Sequence, residues 1–239
     1  MIPRVIHFCW FGRGEMPQLA VDCIASWHKY MPDWEYKLWN EDNFDVNMIP
    51  YTEEAYKAKK FAFVSDYARL WALEKEGGLY LDTDVEVFKP FDDLLELKAF
   101  AGFEGSKHLP VGTCVMASEA HGEWVSEMFE AYQGRHFINS DGSFDLTTNV
   151  QFISDKMRER GLVQNGIEQE YKDLHVFPVD YFSPRHTTGE YCCTENTYCD
   201  HLGLGSWTGA VEGWKAKIGR MVGPKNMIRL IKLKRMLFG

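Results

Sequence analysis

The stretch FAFVSDYARLWALEKEGGLYLDTDVEVFKP, residues 61 to 90, decides the fold of this 239-residue chain. Its first part predicts a strong helix, which ends at the glycine pair 77–78 as helices commonly do. A short apolar strand, 79–81, follows, and Asp82 and Asp84 come directly after it. Side chains two apart in an extended chain lie on one face, so we expect the two carboxylates to repel each other. A divalent cation with oxygen ligands would relieve that repulsion, whereas the alternative is a pair of ordinary turn residues.

The helix before this strand carries polar residues at helical spacing. Ser65, Asp66 and Arg69 share one of its faces, and apolar residues occupy the other. One interpretation is a plain amphipathic helix with an Asp66–Arg69 surface pair that contributes little to stability. The other is that the polar face lines the same cleft as the two aspartates, because the helix leads straight into their strand.

The sequence before and after this stretch predicts an open α/β sheet. A β-prone run at 3–11, a helix from Pro17 to Tyr30 and a strand at 34–40 open the chain. In such a sheet the ligand lies at the carboxyl ends of the parallel strands. Further helices and strands follow, among them a short helix near 91–97, and a polar loop covers 136–152 before a helix near 151–160. The irregular stretch YCDHLGLGSWTG, 198–209, is a second place to expect a site.

Composition and cysteine usage predict one reduced, cytosolic domain. With 45% hydrophobic residues, the chain can bury a sizeable core, and we expect a single domain over residues 1–213. The start of the sequence lacks a secretory pattern and no apolar run approaches a spanning helix, so we expect a cytoplasmic location. Six cysteines occur without regular spacing. A zinc site from Cys192, Cys193, Cys199 and His201 departs from the usual zinc patterns, so we expect unlinked thiols.

The charge of the chain is unevenly distributed. The formal net charge is −9, yet the segment 214–239 holds eight basic residues and no acidic one. Its bases alternate with apolar residues, as in a helix that lies on an anionic membrane surface. The alternative is a C-terminal helix that packs on the acidic body. The acidic body and the absence of a nucleic-acid-binding motif argue against nucleic acid as a partner.

Three stretches together resemble a known family. They are IPRVIHFCWFG at 2–12, the stretch at 61–90 and HLGLGSW at 201–207. They resemble the glycosyltransferases with a DXD-containing sugar-binding region, which include bacterial capsule and lipopolysaccharide sugar transferases and yeast-type initiating mannosyltransferases. The clostridial glucosylating toxins are more distantly similar. The resemblance implies a GT-A fold, one Rossmann-like α/β domain with a mixed central sheet that binds a nucleotide-sugar donor and a divalent metal.

The resemblance also implies roles for individual residues. Asp84 is similar to a metal ligand, and Asp82 is similar to a residue that contacts the ribose and supports the metal. His201 is a further metal candidate, although the Leu-Gly-Leu-Gly that follows it departs from relatives with an Asp before the Gly. The remaining expected donor contacts are Trp10 for the base, Ser65, Asp66 and Arg69 for the sugar and phosphates, and Ser206 and Trp207 for the diphosphate.

The chemistry implied by the family explains the paired aspartates. A leaving nucleoside diphosphate gains negative charge, which Mn²⁺ or Mg²⁺ in an oxygen-rich shell stabilises. The family is described as retaining, and Asp145, Asn149 and Gln151 are the candidate groups near the anomeric carbon. The implied function is hexose transfer from a UDP- or GDP-sugar to a glycan or lipid-linked acceptor in bacterial surface polysaccharide synthesis.

Two other classes of protein remain as alternatives. Haloacid-dehalogenase-like phosphatases also place Asp-x-Asp after an apolar strand, but usually near the start of the chain and with Thr or Val where Glu86 stands here. A non-catalytic module that binds nucleotide sugars or glycans would keep the same cleft. Substrate turnover separates such a module from an enzyme, and phosphate release from a phosphomonoester identifies a phosphatase.

Overall fold

The structure, a computed structural model, describes residues 1–105, 109–184 and 193–203. The Ser206–Trp207 pair and the basic tail 214–239 lie outside the described residues. The predictions made for them therefore stay predictions.

The described residues form nine strands, six α-helices and one short 3-10 helix. The strands are β1 (Val5–Cys9), β2 (Glu35–Trp39), β3 (Gly78–Leu81), β4 (Val85–Val87), β5 (Ala99–Phe103), β6 (Val111–Ser118), β7 (Gln169–Tyr171), β8 (Leu174–Phe177) and β9 (Cys199–His201). The α-helices are α1 (Gln18–Tyr30), α2 (Pro50–Lys57), α3 (Phe61–Glu76), α4 (Glu123–Glu130), α5 (Asn149–Glu159) and α6 (Val179–Phe182), and the 3-10 helix is Asp92–Leu94.

Seven of these strands form one mixed sheet in the order β2-β1-β3-β6-β5-β8-β7. Strand β1 pairs in parallel with β2 and β3, whereas β6 runs antiparallel between β3 and β5. Strands β4 and β9 form a separate antiparallel pair. The predicted α/β architecture with a mixed central sheet is confirmed.

Apolar side chains cover both faces of the sheet. In β3, Leu79 and Leu81 pack on the side of α1, where Trp27 is fully buried, while Tyr80 packs on the side of α3. This alternation follows from the two-residue period of a strand. Because both faces are covered, all four residues of β3 are buried and the strand is continuously apolar.

The glycine pair between α3 and β3 is required by the backbone. Gly77 and Gly78 have φ angles of 66° and 111°, which residues with a side chain rarely adopt. A Cβ on Gly78 would also lie 2.7 Å from the carbonyl oxygen of Val5 in the neighbouring strand. The chain can therefore turn from helix to strand within two residues and place the aspartates at the far end of β3.

Most of the predicted elements are present, with some differences. The structure adds α2, which the sequence analysis missed although Pro50 stands at its first turn and Glu53 follows in that turn. The predicted helix at 91–97 is only the 3-10 turn, and α5 begins at Asn149 rather than near Gln151. Within the described ranges, no helix has the length and apolar character needed to cross a membrane.

Candidate active site

Polar side chains gather at one edge of the sheet. Trp10 follows the carboxyl end of β1, Asp82 follows β3 and Glu104 follows β5. Thr113 is the third residue of the antiparallel β6, whose amino end meets the same edge. Carboxyl ends of parallel strands form the usual ligand crevice of an open α/β sheet, so this edge is the candidate site.

The small β4–β9 pair brings His201 to this edge. Val85 is the register partner of His201, and the backbone N–H of Leu202 donates to the carbonyl of Asp84 over 3.0 Å. The imidazole Nε2 of His201 then lies 3.3 Å from Asp84 Oδ1. One ligand atom from each of Asp82, Asp84 and His201 lies within 4.8 Å of the others. The structure therefore brings together the three residues for which the resemblance implied metal binding.

Helix α1 fixes the position of β4 and hence of the loop that carries Asp84. The indole Nε1 of Trp27 donates to the carbonyl of Val85 over 2.7 Å in the protein interior. Ser26 Oγ accepts the backbone N–H of Val87 at 2.9 Å. These two hydrogen bonds hold β4 against the helix.

Arg69 links three elements behind the aspartates. Its Nη1 donates to the carbonyl of Thr113 on β6 over 2.6 Å and lies 3.3 Å from Asp82 Oδ1. Its Nη2 donates to Asp66 Oδ1 over 3.1 Å, and its Nε donates to the carbonyl of Ser65 over 3.2 Å. Because these donors bond to the protein, the guanidinium holds both carboxylates in place.

The interpretation of Asp66 and Arg69 as a surface pair is wrong. Their side chains are only 12% and 6% exposed. The polar face of α3 turns inward to the sheet edge, where Thr113 and Asp82 supply the acceptors that a buried guanidinium needs. Burial raises the pKa of Asp66 to about 6, despite the opposing effect of Arg69.

Asp82 is held from two sides. In addition to Arg69, the buried Tyr80 donates its hydroxyl hydrogen to Asp82 Oδ1 over 2.8 Å. The Arg69 guanidinium also lies over the Tyr80 ring, 4.6 Å from its centroid. Asp82 therefore has a fixed orientation at the end of β3.

Trp10 and Ser65 have positions that are consistent with the roles implied for them, but their polar atoms also bond within the protein. The indole Nε1 of the half-buried Trp10 donates to the carbonyl of Gly14 over 2.7 Å. The Ser65 hydroxyl donates to the carbonyl of Phe61 one turn earlier in α3 over 3.3 Å. Their roles as donor contacts stay predictions.

The three catalytic candidates lie in different surroundings. Asn149 is buried at the start of α5 and accepts the Tyr132 hydroxyl hydrogen over 2.8 Å. Its backbone acts to lower the pKa of Asp66. Gln151 is exposed on the first turn of α5. Asp145 accepts from Arg135 Nη2 over 2.7 Å. Partial burial acts to raise the pKa of Asp145, but Arg135 and hydrogen bonds from Thr147 lower it overall.

Two residues of this edge were missed by the sequence analysis, namely Glu104 and Cys114. A ligand atom of each lies within 4.8 Å of the other's and of one on His201. Glu104 Oε2 is buried and has no hydrogen-bond partner among the residues that the structure describes. Burial raises the pKa of both Glu104 and Cys114. The position of Glu104 directly after an apolar strand was the available signal, which parallels that of Asp82.

Opposing influences act on His201. Burial acts to lower its pKa, but Cys114 and the Asp84 carboxylate raise it well above the ordinary value. This direction shows that the surroundings favour positive charge at His201. A cation bound by Asp82, Asp84 and His201 fits that preference, because carboxylate oxygens and imidazole suit Mn²⁺ and carboxylate oxygens suit Mg²⁺.

The structure describes five of the six cysteines. Cys9, Cys23, Cys114, Cys193 and Cys199 are buried, and Cys192 lies outside the described residues. Within the described ranges, the one metal-capable group that contains a cysteine uses Cys114.

Part of the chain is similar to known glycosyltransferases. Residues 17–101 match the family described as glycosyltransferase sugar-binding region containing DXD motif. Inositol phosphoceramide mannosyltransferase 1 of Schizosaccharomyces pombe is 31% identical over 110 residues, which cover 41% of this chain and 33% of the relative. The chain thus spans about a third of the length of this relative.

A viral relative and a solved structure cover more of the chain. The uncharacterized glycosyltransferase L373 of Acanthamoeba polyphaga mimivirus is 24% identical over 217 residues, or 87% of this chain and 84% of the relative. The structure of the PaToxG glycosyltransferase matches with a TM-score of 0.50 and 14% identity over 67% of this chain and 70% of that chain. The likeness shows the fold, which is of the GT-A type. Through residues 17–101, which contain Asp82 and Asp84, the chain is similar to the glycosyltransferases whose sugar-binding region contains a DXD motif.

Proposed function

We propose that this chain transfers a hexose from a nucleoside-diphosphate sugar to a hydroxyl group of a glycan or lipid-linked acceptor, and that transfer depends on Mn²⁺ or Mg²⁺. The observation that carries the proposal is the convergence of Asp82, Asp84 and His201 within 4.8 Å at the ligand edge of the sheet. The family match of residues 17–101 supports the reaction class.

Asp82, Asp84 and His201 are the residues that would hold the cation. When bound, a divalent cation stabilises the negative charge that develops on the departing nucleoside diphosphate. Arg69 and Tyr80 fix the orientation of Asp82, so this ligand does not have to reorganise on binding. Trp10, at the end of β1, would contact the nucleotide base, and Ser206 and Trp207 would contact the diphosphate.

Asp66 is the residue best placed to bind a hydroxyl group of the donor sugar. Its carboxylate accepts a hydrogen bond from Arg69 Nη2 over 3.1 Å, which fixes its direction. A buried carboxylate accepts a hydroxyl hydrogen strongly because water does not compete with it. The proposed donor, a UDP- or GDP-sugar, would thus have its hexose beside α3 and its diphosphate beside Asp84.

We further propose that transfer retains the anomeric configuration. Asn149 lies close enough to Asp66 to influence its pKa and would therefore act near the sugar, whereas Asp145 and Gln151 would act from the rim. Nuclear magnetic resonance of the first-formed product distinguishes retention from inversion. An inverted product would contradict this part of the proposal.

The proposed setting is the synthesis of a bacterial surface polysaccharide on the cytoplasmic side of a membrane. The relative from Schizosaccharomyces pombe is named as an inositol phosphoceramide mannosyltransferase, which supports a lipid-linked acceptor. The basic segment 214–239 would bind anionic lipid. Co-sedimentation with anionic vesicles, with and without residues 215–239, tests this role. Unchanged binding of the truncated chain would contradict it.

A panel of nucleotide sugars tests the reaction itself. The purified protein is incubated with each donor and Mn²⁺, with and without a chelator, and free nucleoside diphosphate is measured. We expect release from one donor that the chelator abolishes. Binding of a donor without release, also in the presence of glycan and lipid acceptors, would favour a non-catalytic binding module instead, and release of phosphate from a phosphomonoester would favour a phosphatase.

A further inference from the structure

A second group of metal-binding side chains lies beside the DXD aspartates. Glu104 stands at the end of β5, Cys114 lies on β6 and His201 on β9, and their ligand atoms are within 4.8 Å of one another. Their elements are neighbours because β6 pairs with β5 and the β4–β9 pair covers the same edge. The three residues therefore meet through the topology of the sheet.

Within this group, the Glu104 carboxylate lacks an interaction partner among the described residues. Cys114 is 3% exposed, and Glu104 Oε2 is buried with no hydrogen-bond partner among the residues that the structure describes. A buried carboxylate oxygen without a partner costs free energy, since it has lost its water and gained no donor. A cation between Glu104, Cys114 and His201 would satisfy that oxygen.

The chemistry of the three ligands differs from that of the DXD set. Thiolate, imidazole and carboxylate are the ligands that Zn²⁺ takes in proteins, and three protein ligands leave one position open for water. Mn²⁺ and Mg²⁺ prefer oxygen ligands and gain little from sulfur. The Cys114 thiol would release its proton to solvent when the metal–sulfur bond forms.

We propose that Glu104, Cys114 and His201 form a second cation site, selective for Zn²⁺ or another thiophilic divalent ion, which shares His201 with the Asp82–Asp84 site. Because a neutral imidazole keeps a proton on one nitrogen and can ligate a single ion through the other, occupation of either site weakens the other. By linkage, the weakening is reciprocal. Thiophilic ions therefore reduce Mn²⁺ binding to this chain. The inference concerns metal binding and does not depend on the transferase reaction.

Cobalt(II) reports directly on the sulfur ligand. The full chain is freed of metal by a chelator and titrated with Co²⁺, as wild type, Cys114→Ser and Cys23→Ser. Cys23 is the matched control because it is a buried cysteine on α1 that belongs to neither metal-capable group. We expect a thiolate-to-cobalt charge-transfer band in wild type and Cys23→Ser but not in Cys114→Ser. A wild type without the band, or a band retained in Cys114→Ser, would overturn the proposal.

Zinc affinity gives a second measurement. Competition with a chromogenic chelator should show Zn²⁺ binding at least about tenfold weaker in Cys114→Ser than in wild type. Loss of a residue that only orients a metal ligand already weakens metal binding by about 10–100-fold. If Cys114→Ser does not fold, Glu104→Gln takes its place with the same expectation. Unchanged zinc affinity in the folded variant would overturn the site.

The shared histidine is tested separately. Zn²⁺ also competes directly for the Asp82–Asp84 ligands, so the two proteins are compared by the zinc concentration that halves Mn²⁺ binding, followed by electron paramagnetic resonance. That concentration should be lower in wild type than in Cys114→Ser. Asp84→Asn should lose Mn²⁺ binding and keep the cobalt–thiolate band, which separates failure of this site from failure of the proposed function. Equal Mn²⁺ affinity with and without bound Zn²⁺ would refute the sharing of His201.

Discussion

Asp66 gives the most quantitative prediction, because its charge is buried at a cost to stability. Burial raises its pKa to about 6 in the folded chain, whereas an unfolded aspartate titrates near pKa 3.9. Between these values the folded state holds a proton that the unfolded state has released. Stability therefore falls as pH rises through this window, by roughly 3 kcal/mol in full and about 1.4 kcal/mol between pH 5 and pH 8.

Asp66→Asn removes this titration. We expect the free energy of unfolding of the variant, relative to wild type, to rise by about 1.4 kcal/mol from pH 5 to pH 8. Chemical denaturation followed by tryptophan fluorescence measures both proteins at each pH. The variant should also lose donor binding if Asp66 holds the sugar, so stability and function would change in opposite directions.

A matched control separates this effect from the loss of any carboxylate. Asp155 lies on α5 with its side chain 38% exposed and pairs with Arg158. Asp155→Asn should change stability by less than about 0.5 kcal/mol. If the Asp66→Asn difference is flat with pH, Asp66 does not titrate near 6. If it falls as pH rises, Arg69 outweighs burial and the reasoning about burial is refuted.

Two further predictions concern the support of the cation site. Asp84→Asn should weaken Mn²⁺ binding at least about tenfold, or 1.4 kcal/mol, without loss of fold, and Asp155→Asn should leave Mn²⁺ binding unchanged. Electron paramagnetic resonance measures the Mn²⁺ affinity of both variants. An Asp84→Asn affinity equal to that of wild type would remove Asp84 from the site. Trp27→Phe should lower the free energy of unfolding by about 2–4 kcal/mol, because the buried Val85 carbonyl loses its donor and a cavity opens. Trp71→Phe, at a half-buried ring with no hydrogen bond, is the control and should cost about 1 kcal/mol. A Trp27→Phe loss no larger than the Trp71→Phe loss would contradict the anchoring of β4.

Much of the fold could be predicted from local sequence patterns. The helix α3, the glycine pair and the apolar β3 each have a local cause, namely helical periodicity, positive φ and continuous burial. The position of the aspartates at the end of β3 follows from these alone. The helix α2 also had a local signal in Pro50 and was missed.

The cleft itself depends on strand order, which local patterns do not specify. A helical wheel places Asp66 and Arg69 on one face, but it does not say whether that face meets water or a neighbouring strand. The acceptor that explains Arg69 is the carbonyl of Thr113, on a strand that is inserted between β3 and β5. Glu104 and Cys114 were missed for the same reason, because their meeting with His201 depends on the β4–β9 and β5–β6 pairings.

The most direct test of the central claim is a crystal structure of the full chain with Mn²⁺ and a nucleoside diphosphate, in which anomalous scattering locates the metal. We predict a manganese peak between Asp82, Asp84 and His201 that also contacts the diphosphate. Bound nucleotide without a manganese peak at these residues, or a peak ligated only elsewhere, would contradict the assignment of this edge as the cation site.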